Sequence, residues 1–377
     1  MGHSMKRLLL IVILVVAGFW AFRTRLANQT TKTLTPVVQE SPQTENEEDI
    51  RVVAEGLNVP WELVFLPDGS MLVTERLGQI TKILPDGTKT TIFTLDEVTE
   101  RGEGGLLGMV LHPDFSTNRF LYIYLTSLND AGDLTNKVLR YSLNEGDTLS
   151  NRTVILDGIS GAANHDGGRI RFGPDGYLYI TTGDAQTENI AQDTDSLNGK
   201  VLRVADDGSV PEDNPFDNEV YSYGHRNPQG LAWDKAGRLW ATEHGPSGVE
   251  SGYDEVNLIQ PGNNYGWPTV RGSQELEGLT PPVIQSGASD TWAPSGLAYL
   301  DGSLYFAGLR GSALYKATLD GAGISDLNVH FKGEYGRIRA VVVGPDGYLY
   351  ITTSNRDGRG SPAQNDDRII RINARIL

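Results

Sequence analysis

From Ile50 to the C-terminus the chain is written in short apolar runs, each entered through a turn and left through polar residues. One device recurs: a Pro/Asp-x-Gly-like turn opens directly onto an alternating apolar strand. It occurs at LPDGSMLVTER from Leu66, HPDFSTNRFLYIYLT from His112 and GPDGYLYITTGD from Gly173. It returns at WDKAGRLWATEH from Trp233, LDGSLYFAGLR from Leu300 and GPDGYLYITTSN from Gly344, which makes six copies. Gly supplies the positive φ of such turns, and alternating Leu, Tyr, Ile and Thr suit a pleated strand. Other strand-like runs fill the intervals: IRVVAEG, ITKILP, KVLRYSL, KVLRVA, SALYKATL and IIRINARI. No sustained helical period follows the N-terminal leader.

The copies start roughly forty-five to seventy residues apart, room for four strands each with insertions. The predicted fold is therefore all-β, a six-bladed β-propeller of four-stranded antiparallel blades. Closing the ring removes most exposed sheet edges. IRVVAEG at the N-terminus and DDRIIRI at the C-terminus are expected to complete one blade together. The alternative is a β-sandwich with fortuitous turns.

Ahead of the propeller the pattern changes. MGHS before a second Met reads as a cloning remnant, so residues 1–4 carry no fold information. Lys6 and Arg7 precede fifteen apolar residues, 8–22. That run is long for a signal core and short for a full membrane span. Residues 5–27 are read as a signal peptide or signal-anchor, with possible membrane anchoring through residues 8–22 and export to the periplasmic or extracellular face. Residues 28–49 are Thr/Gln/Glu-rich and predict a disordered linker. The folded domain is residues 50–377.

Composition narrows the chemistry. With no Cys, disulfides, thiolate metal sites, a cysteine nucleophile and a lipid-modified Cys are excluded. A net charge of −16 repels phosphate backbones and argues against nucleic acid. Carboxylates also suit calcium, although for most of them simple solubility is explanation enough.

In a propeller the loops at one mouth of the channel converge, so residues distant in sequence meet there. The segments that break the repeat are GEGGLLG from Gly102, NHDGG from Asn164, YGHRNPQGLAW from Tyr223, EHGPSG from Glu243, DEVNLIQPGNNYGWP from Asp254 and GRIRA from Gly336. Singly each has a plain structural explanation: a hydrogen-bonded histidine, a solvated strand face, a turn. Together their arginines, histidine and carboxylates point to a mouth site for an anion-bearing ligand.

In order, GEGGLLG, NHDGGRI…TTGD, YGHRNPQGLAW, EHGPSG…DE…NNYGWP, TWAPSGLAY and RIRAV…GPDGYLY resemble the soluble aldose sugar dehydrogenases. These are similar to soluble quinoprotein glucose dehydrogenase, a six-bladed propeller using pyrroloquinoline quinone (PQQ) and Ca2+. The resemblance runs from Ile50 to the C-terminus. It implies oxidation of an aldose at its C1 hydroxyl to the lactone, with electrons passed to an external acceptor, a respiratory quinone or redox protein. It implies His165 as general base, Asp184 as its orienting partner and Arg226 as stabiliser of charge on the reduced cofactor. Arg337 and Arg339 would bind the cofactor carboxylates, with Glu103, Asn164, Asn227 and Arg310 as further contacts. The carbonyls of Gly245 and Pro246 would hold a calcium that also ligates the quinone. Asp254, Glu255 and the Tyr265 carbonyl would hold a second, structural one. Trp292 would wall the substrate pocket.

Glu103 stands where the glucose enzyme has glutamine, so it would be protonated, paired with an arginine, or set differently against the cofactor. His244 likewise replaces a glutamine, and Arg310 a lysine. Two other functions stay open: a calcium-dependent lactonase and a non-enzymatic binding propeller.

Overall fold

The computed structural model of the protein describes residues 37–38, 49–247 and 251–377. The expected leader, and the expected linker apart from Val37, Val38 and Asp49, lie outside the described residues. Six sheets form six blades, each with four antiparallel strands. Blade one is Pro60–Phe65, Met71–Glu75, Gln79–Ile83 and Lys89–Thr94. Blade two is Leu106–Leu111, Phe120–Leu128, Leu134–Leu143 and Leu149–Ser160. Blade three is Ile170–Phe172, Leu178–Thr182, Lys200–Val204 and Val220–Tyr223. Blade four is Pro228–Trp233, Leu239–Glu243, Glu255–Ile259 and Ile284–Gln285. Blade five is Pro294–Leu300, Ser303–Gly308, Ala313–Asp320 and Gly323–His330. Blade six is Ile338–Val343, Leu349–Thr353 and Ile369–Ile372, completed by Ile50–Ala54.

That last pairing joins the two ends of the domain. Ile50 lies opposite Ile372 and Val52 opposite Ile370, in antiparallel register. At the outer edge of blade five, Val37–Val38 adds a short parallel pairing, with Val37 opposite Asn328.

Each of the six turn-and-strand copies supplies the second strand of a different blade. The strand before each turn is the first of its blade, and these first strands neighbour one another in a closed ring. They line the axis and are almost wholly buried: the Trp61, Leu63, Leu106, Met109, Ile170, Leu231, Leu297 and Ile338 side chains are all at 3% exposure or less. Apolar side chains of adjacent blades fill the wedges between sheets. Helix is confined, among the described residues, to one turn at Phe115–Asn118 and 3-10 turns at Glu188–Gln192 and Ala374–Ile376.

Candidate functional site

At one mouth of the channel the loops enclose a cavity of about 530 Å3. Its chemistry starts at His165, which enters the left-handed region at φ 66°. The His165 carbonyl lies so near Gly183 that a Cβ there would come within 1.8 Å of it. Only glycine allows that approach. The next residue, Asp184, is fully buried and accepts His165 Nδ1 at 2.7 Å. Its oxygens also take the Gln186 backbone N–H at 2.8 Å and the Trp267 indole N–H at 2.8 Å. A carboxylate so held fixes the imidazole with its proton on Nδ1, leaving Nε2 as the basic nitrogen.

Three buried nitrogens on the arginines and histidine singled out by the sequence lack protein partners. Arg226 gives Nη2 to Ser247 Oγ at 3.0 Å, but its Nε is unpaired. Its guanidinium stands 5.3 Å from the Trp267 ring centre. Its backbone N–H is gripped by Glu243 Oε1, while Glu243 Oε2 holds His225 Nδ1 at 2.8 Å. Arg339 gives Nη1 to Gln229 Oε1 at 2.9 Å and leaves Nε unpaired. His244 Nε2 is the third. Burial lowers the His244 pKa to about 3, so its imidazole is neutral at physiological pH. Burial also lowers Arg339 to about 9, which leaves it a cation there.

The structure separates the two arginines expected to act together. Arg337 lines the cavity, with Nε and Nη2 both 2.8 Å from Asp357 Oδ2. Arg339 is 3% exposed, lies outside that lining and packs 5.7 Å from the Trp61 ring centre. Arg310, Asn164 and Glu103 line the cavity. Asn227 is fully buried behind it, its carbonyl taking the Gly167 N–H at 3.0 Å.

Glu103 pairs with an arginine, Arg359. Burial opposes ionisation of Glu103, but the Arg359 guanidinium and the His165 N–H help to outweigh it and hold the carboxyl below the usual range.

The expected metal donors fall into two spaces. Gly245, Pro246 and Asp254 line the main cavity. Glu255 and Tyr265 line a small adjoining space, together with Gly245, Pro246 and Glu243. Asp254 does not join them there. One of its oxygens takes the Gly245 N–H at 2.9 Å and the other takes Trp292 and Ala293 N–H at 2.7 and 2.9 Å. It braces the loop that presents Gly245 and Pro246, and burial raises its pKa to about 6. Glu255 lies opposite Glu243 in the sheet, and packing and that neighbour push its pKa well up. Glu243 and Glu255 both line that space beside Tyr265, and among the described residues no group of three or more histidine or acidic side chains gathers as a metal site.

Trp292 does not wall the cavity as expected: it is fully buried in the blade-five core against Phe306 and Tyr315, and its flanks Thr291 and Ala293 reach the cavity instead. Sequence reasoning missed Trp267, Gln186, Ser247, Asp357 and Arg359. The NRDGRG that follows the second near-identical repeat was the available signal for the last two.

A six-bladed propeller with a histidine–aspartate pair facing a cation-lined mouth defines a class, and comparison with known proteins gives the family. Residues 57–370 match the family model Glucose / Sorbosone dehydrogenase, and the chain belongs to that family. It is similar to the aldose sugar dehydrogenase YliI of Escherichia coli, 34% identical over 82% of this chain and 91% of that protein. Quinoprotein glucose dehydrogenase B of Acinetobacter calcoaceticus is 37% identical over 61% of this chain and 54% of that one. Among solved structures, the PQQ-bound aldose sugar dehydrogenase of Streptomyces coelicolor superposes with a TM-score of 0.80 at 41% identity, covering 88% of this chain and 99% of that chain.

Proposed function

We propose that this protein is a PQQ- and calcium-dependent dehydrogenase that oxidises aldoses at C1 to the lactone. One observation carries the reading: the Asp184-oriented His165 opens into the same cavity as Arg226, Arg310 and Arg337. The unpaired Nε of Arg226, a residue of the cavity lining, suits an anion with several acceptor oxygens, which fits a tricarboxylated quinone. A bound PQQ would supply the two-electron acceptor for the sugar's hydride, and the Gly245 and Pro246 carbonyls would hold a calcium that would supply Lewis acidity there.

The chain's own residues do the rest. His165 Nε2 takes the proton of the C1 hydroxyl as the C1–H bond gives up its hydride. Asp184 keeps Nδ1–H pointed away and stabilises the imidazolium that forms. Arg226 places a fixed positive charge where negative charge grows, without reorganisation. Arg310 and Arg337 orient the cofactor through its carboxylates. Relatives' names support the substrate class, and the leader of residues 5–27 supports work outside the cytoplasmic membrane, with electrons leaving to an external acceptor.

Reconstitution tests this directly. Purified apoprotein given PQQ and Ca2+ should reduce a dye when an aldose is supplied, and neither addition alone should suffice. Activity without PQQ would overturn the PQQ reading in favour of another electron acceptor, and none with both would return the chain to the binding-propeller alternative.

A further inference from the structure

A carboxylate is an odd lining for a cavity that takes an anion, and Glu103 sits in one at 12% side-chain exposure. Its place has a use. Glu103 Oε2 accepts the backbone N–H of His165 at 3.0 Å, while the His165 carbonyl packs close against Gly183. His165 stands in the left-handed region, which a non-glycine residue occupies only when its surroundings fix it. Asn227 Nδ2 lies 3.4 Å from the same oxygen.

The other oxygen, Oε1, accepts Arg359 Nη1 at 2.5 Å, and Arg359 Nη2 reaches Asn164 Oδ1 at 2.5 Å. Arg359 comes from the connection between the second and third strands of blade six, far from Glu103 in sequence. Its reach is set locally: Asp357 Oδ1 accepts the Arg359 N–H at 2.9 Å while Asp357 Oδ2 holds Arg337. One aspartate thus positions both a cavity arginine and the arginine that neutralises Glu103.

We infer that Arg359 is a charge-compensating positioning residue: it cancels Glu103, so that a carboxylate can hold the His165 backbone inside an anion-binding cavity. An amide at position 103 would accept the same N–H without charge and would need no arginine. The two positions therefore act as a unit, and this inference rests on the PQQ reading of the cavity.

A double-mutant cycle read by cofactor affinity tests it. Apoproteins of wild type, Arg359→Met, Glu103→Gln and the double variant are titrated with PQQ in excess Ca2+, following quenching of intrinsic fluorescence. Arg359 is half-exposed, so its replacement leaves the core untouched, and a thermal melt checks this. Arg359→Met should weaken PQQ binding about tenfold or more in the wild-type background, the cost of leaving one carboxylate unpaired beside an anion. In the Glu103→Gln background the same replacement should change affinity little. Equal loss in both backgrounds would make Arg359 a direct cofactor contact and overturn the inference. No loss in either would overturn it as well. A wild type that takes up no PQQ would overturn the functional reading and the inference with it.

Discussion

Blades three and six contain the same ten residues, GPDGYLYITT, from Gly173 and from Gly344. Their scaffolds are built alike. In each, the turn aspartate accepts the tyrosine hydroxyl four residues on, at 2.9 Å for Asp175–Tyr179 and 3.0 Å for Asp346–Tyr350. In each, an arginine opposite that tyrosine on the next strand, Arg203 or Arg371, pairs with the same aspartate. The copies part at the two residues that follow, Gly183–Asp184 against Ser354–Asn355. Asp184 only accepts, from the His165 imidazole and the Trp267 indole N–H among others. Asn355 accepts the Arg337 N–H at 2.8 Å and also donates, to Tyr335 O at 2.9 Å and Asp366 Oδ2 at 3.0 Å. The repeat specifies the strand, and the residue that ends the strand decides which partners it takes.

The largest break in that comparison is to remove the imidazole itself. His165→Ala should lower kcat by about 10²–10⁴-fold, the usual worth of a positioned base. PQQ affinity should hold, because the cavity's arginines are untouched; a matching loss of PQQ affinity would make His165 a cofactor contact first. A smaller break makes the blade-three end resemble the blade-six end. Asp184→Asn keeps the shape but removes the charge that holds Nδ1–H and stabilises the imidazolium. kcat should fall by roughly tenfold to a hundredfold, with KM less affected, as expected for an interaction that strengthens in the transition state. Unchanged kcat would reduce Asp184 to a brace for Trp267.

How much of this was legible beforehand follows the same division. The six turns, the strands behind them and the closure of blade six by Ile50–Ala54 were open to reading, because turn chemistry and alternation are local. Roles were less so, because they depend on what faces a residue across the channel. The tetrapeptide GRIR occurs twice, at Gly168–Arg171 and Gly336–Arg339. In the first copy Arg169 and Arg171 both bind the buried Glu62 of blade one, Arg171 at 2.6 Å. In the second, Arg337 faces the cavity and Arg339 lies on Gln229. Equal text takes different roles, because its position relative to the following turn differs by three residues. Asp254 and Glu255 illustrate the same limit: adjacent residues on an extended segment face opposite ways, into different spaces. NRDGRG was a signal for Arg359 in the sequence, but its contact with Glu103, like that of Trp267 with Asp184, appears only once the fold brings their loops together.

The smallest break runs the other way, giving blade six the residue of blade three. Asn355→Asp keeps an oxygen for the Arg337 N–H but turns the donor Nδ2 into an acceptor. That acceptor faces the Tyr335 carbonyl and the Asp366 carboxylate, both already acceptors. Two hydrogen bonds become two repulsive contacts at a site only 5% exposed, which should cost about 1–3 kcal/mol of stability. The repulsion raises the folded-state pKa of the introduced carboxyl above its unfolded value, so protonation relieves it. The penalty should therefore shrink as pH falls and be largest at neutral pH and above. Melting temperature against pH for the two proteins measures this, and a penalty independent of pH would mean the lost donor alone is responsible. Turnover in the same samples should fall far less than in Asp184→Asn. Equal loss in the two variants would show that the ends of these strands are coupled through Arg337, and that the repeat does not separate scaffold from chemistry.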